Sequence, residues 1–205
     1  MEIFASVAPL VTDPAERAFL LGDDDPEMLA ELTSQETALA TSIDTILHDL
    51  YFLETDFATF KTGEGASELL GTIEEVLELK QFAAAQEGFT PDDYLEGRVK
   101  AGHRYNHLIN HDDSSGYYVP VDFMQAFAFE SEEGDVSVGS SVALLAELEA
   151  LAAPLKAAFP AEMALASATE DDGERAPLTG PVGVWHALIR LCRSSVEIGL
   201  PIQIG

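Results

Sequence analysis

Three of the five histidines, His103, His107 and His111, fall four residues apart, and Asp112 and Asp113 follow at once. Imidazoles with a carboxylate are donors that zinc and other divalent ions accept. A spacing of four puts the three rings on one side of a strand or one face of a helix. The neighbours favour strand, and residues four apart along a strand stand roughly 13 Å from one another, too far to share one ion. The expectation is therefore no metal and no cofactor, with the histidines solvated or hydrogen-bonded along a groove. Were the protein an enzyme, His107, His111, Asp112 and Tyr117 would be the residues that a hairpin end brings to one cleft.

The hairpin expectation comes from period. Tyr105, His107 and Ile109 alternate with Asn106, Leu108 and Asn110, and Tyr117, Val119 and Val121 alternate with Tyr118, Pro120 and Asp122. Aromatic and β-branched residues suit a pleated surface, and the Asp-Asp-Ser-Ser-Gly between the arms is turn chemistry. A central hairpin at about residues 105–121 follows. Pro120 lacks an N–H, which makes the second arm an edge strand or one with a bulge.

Other motifs are weaker. Asp23, Asp24 and Asp25 lack the alternation, central glycine and distal glutamate of a calcium loop, and Asp25 before Pro26 reads as a helix cap. Gly139-Ser140-Ser141 has neither the lysine of a phosphate loop nor the spacing of a nucleophile elbow, so Ser140 reads as an N-cap. Cys192 falls on the apolar side of its helix, where a thiol is inert packing. No nucleophile has a base and an orienting group near it, so no catalytic residue is assigned.

Charge is the strongest compositional fact. The 205 residues carry 37 acids and 10 bases, a formal net charge of -27. Residues 1–60 hold thirteen acids and the single base Arg17, whereas residues 101–124 hold three acids and one base. Such a surface repels nucleic acid and anionic membrane and steers a basic partner toward it. The expected binding patch centres on Asp23, Asp24, Asp25, Glu27 and Glu31. No apolar run reaches the roughly 20 residues that span a bilayer, the start lacks a basic leader region, and one cysteine excludes a disulfide framework. A cytoplasmic protein is expected.

A hydrophobic fraction of 47% supports a sizeable core. Residues 3–11 and the tail read as strands, and Asp13-Pro14 opens a short helix over residues 15–21. A helix capped at Thr33 or Ser34 carries Leu39, Ile43, Leu47 and Leu50 at helical spacing; another starts at Ser67 and runs to Gly88. Phe127 and Phe129 alternate as in a strand, and Val136 and Val138 lead to Gly139-Ser140-Ser141. A helix over residues 142–153 turns Leu144, Leu148 and Leu151 inward with Glu147 outward, and Pro154 kinks or ends it. Residues 169–177 read as a mobile loop. The last helix faces Trp185, Leu188, Cys192 and Val196 inward, with His186, Arg190, Arg193 and Glu197 on the opposite stripe. The sum is one α+β domain over residues 1–205, five or six helices on a small, mostly antiparallel sheet. Three functions compete: an interaction protein (inhibitor, immunity-type protein or nucleic-acid mimic) with a basic protein partner, an enzyme or metal-binding protein centred on His103, His107, His111 and Asp112, and a structural subunit with acidity for solubility or salt. A homo-oligomer is compatible with each.

Overall fold

The computed structural model describes residues 1–12, 25–59, 61–63, 65–95, 103–112, 114–131, 134–172 and 178–205. The chain is α+β, with seven helices and six strands among these residues. It forms two compact units, one of Met1–Val7 with Gly65–Gly205 and one of Ala8–Glu64.

The larger unit is built on a sheet of order β2-β1-β6-β3-β5-β4, from β1 (Glu2–Val7), β2 (Ser67–Thr72), β3 (Gly116–Val119), β4 (Phe127–Ser131), β5 (Gly134–Ser140) and β6 (Ile202–Ile204). Every neighbouring pair is antiparallel except β3 with β5, which gives the mostly antiparallel sheet expected. Ile3, Ala5 and Val7 alternate inward along β1 and join Leu70, Tyr118 and Ile202 in the core. The helices that complete this core are α2 (Ile73–Gln86), α5 (Ser141–Ala158) and α7 (Gly180–Ile198), through Leu79 and Ala83, through Leu144, Leu148 and Leu151, and through Leu188, Leu191 and Cys192. Short helices α3 (Pro91–Leu95) and α4 (Asn106–Asn110) precede β3, and α6 (Pro160–Asp172) follows α5.

The central hairpin is not formed. Residues 106–110 are helical, and β3 pairs antiparallel with β6 and parallel with β5 rather than with an arm before it. The reason is burial on all sides: Tyr105, Asn106, His107, Leu108 and Ile109 are all buried, so their apparent alternation had no solvent face to report. The helix expected from Ser67 is also divided. Ser67–Thr72 is a strand, and α2 begins only after Thr72, whose hydroxyl accepts from the Glu75 N–H while the Glu75 carboxylate accepts from the Thr72 N–H. Helix α5 runs through Pro154 to Ala158. The short helix expected over residues 15–21 lies outside the described residues; of the expected loop at 169–177, residues 169–172 belong to α6 and the rest lie outside them.

The smaller unit is organised by α1 (Pro26–Tyr51), which starts at the cap Asp25 rather than at Thr33 or Ser34. Leu29, Ala40, Ile43 and Leu47 form its buried stripe, and Leu10, Val11 and Phe57 are buried with them. Asp44 fastens the following loop: one carboxylate oxygen accepts from Thr55 Oγ1 at 2.6 Å and from the Phe57 N–H at 3.1 Å, the other from the Ala58 N–H at 3.1 Å.

Candidate functional site

The residues singled out by sequence fall into both units. Asp25, Glu27 and Glu31 belong to the smaller one, and His107, His111, Asp112 and Tyr117 to the larger. Asp23, Asp24 and Asp113 lie outside the described residues.

The histidines do not line a groove. His107 is buried, and its two ring nitrogens are fixed by backbone. Nδ1 lies 3.0 Å from the Ser140 N–H and must accept there, so Nε2 carries the proton and donates to the Phe123 carbonyl at 2.9 Å. That pair of bonds defines a neutral imidazole, and burial holds its pKa below the ordinary histidine value. His111 is buried as well, stacked on Tyr118 at a centroid distance of 4.0 Å. Its Nδ1 lies 3.0 Å from the Asp112 carbonyl and its Nε2 3.1 Å from the Tyr117 carbonyl. Burial pushes its pKa down to about 4, and the nearby Lys80 ammonium adds to the effect. Lys80, itself buried, donates to the His111 carbonyl at 2.6 Å. Two glycines make room: a Cβ on Gly139 would collide with the Tyr118 ring, and Gly116, at φ +119, would bring one to 2.5 Å from the Ser137 carbonyl.

These contacts correct the cleft expectation. His107 spends both ring nitrogens inside the protein, and neutral His111 donates to one of its two facing carbonyls while burial shuts its other ring nitrogen away from a metal or a substrate. Among the described residues no group of three or more His, Cys, Asp or Glu side chains is placed to hold a metal ion. Asp112 is exposed, and its Oδ1 accepts from the backbone and hydroxyl groups of Ser114 and Ser115. It closes a turn, and those bonds hold its pKa below the ordinary value against the opposing effect of partial burial. Tyr117 is half-buried on β3 and meets His111 through its carbonyl. His103 packs its ring edge against Phe89.

The residue that sequence reasoning placed wrongly is Glu147. It is buried, with Oε1 accepting from the His107 N–H at 2.9 Å and Oε2 from the Leu108 N–H at 2.8 Å. A carboxylate on α5 thus satisfies the first N–H groups of α4, which has no side-chain cap of its own. Burial outweighs these bonds and pushes its pKa up to about 7. A signal was present, since Glu147 falls at helical spacing within the stripe of Leu144, Leu148 and Leu151. Glu75 is likewise engaged, accepting from the Gly180 N–H at 2.6 Å. His186 is buried rather than on an outer stripe, Arg190 pairs with the buried Glu68 at 3.1 Å, and Val196 is exposed. Burial pushes the Cys192 thiol up, which keeps it protonated. These buried polar side chains serve the larger unit's own architecture, while others of its acids, such as Glu74, Glu130 and Glu149, are exposed.

The acids of α1 are different. Asp25 caps the helix through the Glu27 N–H at 3.0 Å, while Glu27, Glu31 and Asp49 are exposed. Glu27 and Glu31, four residues apart, share one helix face. No helix among the described residues is long and apolar enough to cross a membrane.

A family model described as "Putative DNA-mimic protein" matches residues 23–204. No curated protein and no solved structure matches the chain. The family match corrects the functional expectation: the inhibitor or immunity-type assignment is overturned. The partner expectation, an unspecified basic protein, is corrected by the same finding.

Proposed function

Because the chain belongs to the "Putative DNA-mimic protein" family, we propose that it stands in for DNA on the binding face of a DNA-binding protein, with carboxylates in the place of phosphates. The family match is the observation that carries this reading. Charge supports it. Residues 23–56 hold ten acids and no lysine or arginine. Helix α1, with 26 residues, is about 39 Å long. A DNA strand places one phosphate about every 3.4 Å, so about eleven fall within that length. The five acids of α1 alone, Glu27, Glu31, Glu36, Asp44 and Asp49, supply less than half of that charge. We therefore assign the mimicking surface to α1 together with the acids that flank it: Asp23, Asp24 and Asp25 before the helix, Glu54 and Asp56 after it. Carboxylates that accept internal hydrogen bonds, as Glu36 does from the Thr12 N–H, still count toward the field. A DNA-binding partner and a single buried cysteine both suit a cytoplasmic location.

The test is displacement. A DNA-binding protein retained by the chain after nuclease treatment should be released by duplex DNA, and its affinity should fall steeply between 50 and 200 mM salt. Changing Glu27, Glu31 and Asp49 together to their amides should weaken binding and flatten that salt dependence while leaving the melting temperature nearly unchanged. Binding that ignores both salt and competing DNA would sink the reading.

A further inference from the structure

At the end of α1 the backbone closes the helix in the usual left-handed conformation, but the residue that adopts it is not a usual one. Phe52 follows the helix with φ 57 and ψ 34, in the left-handed region where glycine or asparagine is usual. It is the one non-glycine residue with positive φ among the described residues. The bonds that close the helix, from the Phe52 N–H to the His48 carbonyl at 2.9 Å and from the Leu53 N–H to the Leu47 carbonyl at 3.3 Å, involve backbone only, so glycine would make them equally well. The ring does not pack either: Phe52 is 84% exposed and Leu50 59%. Carboxylates stand on both sides of the ring in sequence. His48 lies between them, with Nδ1 3.3 Å from Asp49 Oδ1 and Nε2 3.5 Å from Glu54 Oε1. A strained backbone that holds an aromatic ring in water is doubly unfavourable unless a partner takes the ring.

We propose that Phe52, flanked by Asp49 and Glu54, imitates an unstacked base between phosphates, and that its receptor is the groove of a protein that binds single-stranded DNA. The inference rests on the DNA-mimic reading and narrows it. A duplex stacks its bases inside and its phosphates outside, so an aromatic face offered between anions matches a single strand. Proteins that hold single strands line a basic groove with aromatic side chains on which bases stack. A π face with carboxylates beside it complements that groove in shape and in charge. The same charges disfavour a second copy of this chain, which would oppose like-charged rims, and an anionic membrane surface.

In the test, the chain is immobilised, nuclease-treated host lysate is passed over it, and the retained protein is challenged with oligo(dT) and with duplex DNA at equal phosphate concentration. The affinity of the retained protein is then measured for the wild type, Phe52→Gly and Phe52→Tyr. We expect oligo(dT) to release the partner at the lower concentration. Phe52→Gly should weaken binding about tenfold or more, the scale of one lost stacking contact, with an equal or higher melting temperature because glycine relieves the left-handed backbone. Phe52→Tyr, which keeps the ring, should bind nearly as wild type does. If Phe52→Gly binds undiminished, or duplex DNA is the better competitor, the single-strand receptor is overturned while DNA mimicry stands. If neither nucleic acid releases a retained protein, mimicry falls and the receptor falls with it.

Discussion

Replacing Glu147 by glutamine separates the two forces that act on this side chain. The change is nearly isosteric; it removes the ability to ionise and turns one accepting oxygen into a donor. In the protein the carboxyl pKa is raised from 4.5 to about 7 by burial, against the pull of the α4 N–H groups. A raised carboxyl pKa means that the folded chain holds the proton more tightly than the unfolded chain does. Its contribution to stability is fully present below pH 4.5 and is lost as the pH rises through about 7. The span of about 2.5 pH units corresponds to about 3 kcal/mol. Near pH 4 the protonated acid has one O–H donor where the amide has two N–H donors facing the α4 N–H groups, so the two proteins differ there by an offset that serves as the reference for the rest of the pH series. By pH 8 Glu147→Gln should have gained about 3 kcal/mol relative to wild type. Urea denaturation of both proteins from pH 4 to pH 8 measures this, and taking the difference cancels the self-repulsion of the other acids. A flat difference would refute the dominance of burial. A difference of opposite sign would show that the helix N–H groups prevail over it.

Three more perturbations follow from the same contacts. His111, whose pKa is held down to about 4, contributes stability that is present above about pH 6.5 and lost as the pH falls through about 4; its ring proton shifts followed by NMR should therefore not move between pH 8 and pH 5. Arg190→Ala leaves the buried Glu68 carboxylate without its cation and should lower stability by about 2 kcal/mol, given that the arginine is partly solvated; adding Glu68→Gln should restore most of the loss in a denaturation cycle. Asp44→Ala removes the three bonds that hold Thr55, Phe57 and Ala58 and should cost about 2 kcal/mol, seen as faster proteolysis near residues 55–58.

How far the sequence reveals the fold depends on whether each segment has a solvent face. Helix α5 was readable because Leu144, Leu148 and Leu151 recur against exposed neighbours such as Ala146 and Glu149, whereas α7 was readable from its length and its Gly180-Pro181 start although Val184 to Ile189 are all buried. Helix α4 was not, since all but Asn110 of its five residues are buried and its N-terminal N–H groups are satisfied by a glutamate some forty positions away. Strand β2 was hidden because Leu69 and Leu70 fall in helical register with Ile73 across a boundary; the Thr72 to Glu75 capping box was the overlooked sign. The acidic surface was legible, since charge needs no geometry to be counted. The histidines misled because residue type does not disclose backbone partners. Only the fold shows that His107 and His111 face carbonyls and an amide N–H.

The position of β6 bears on how the larger unit comes into being. Its residues lie between β1 and β3 in the sheet, and next to it Phe4 and Gly205 exchange backbone hydrogen bonds at 3.3 and 3.1 Å. Among the six strands β1 is made first and β6 last, so the ribbon of β2 and β1 and the ribbon of β3, β5 and β4 have no strand pairing between them until residues 202–204 leave the ribosome. Pairing Ala5 with Ile204 closes a very long loop, which makes that step slow and late. Until then β1 and β3 each present an unpaired edge to other chains. Deleting residues 202–204 would make that condition permanent, dividing one sheet into two sticky ribbons.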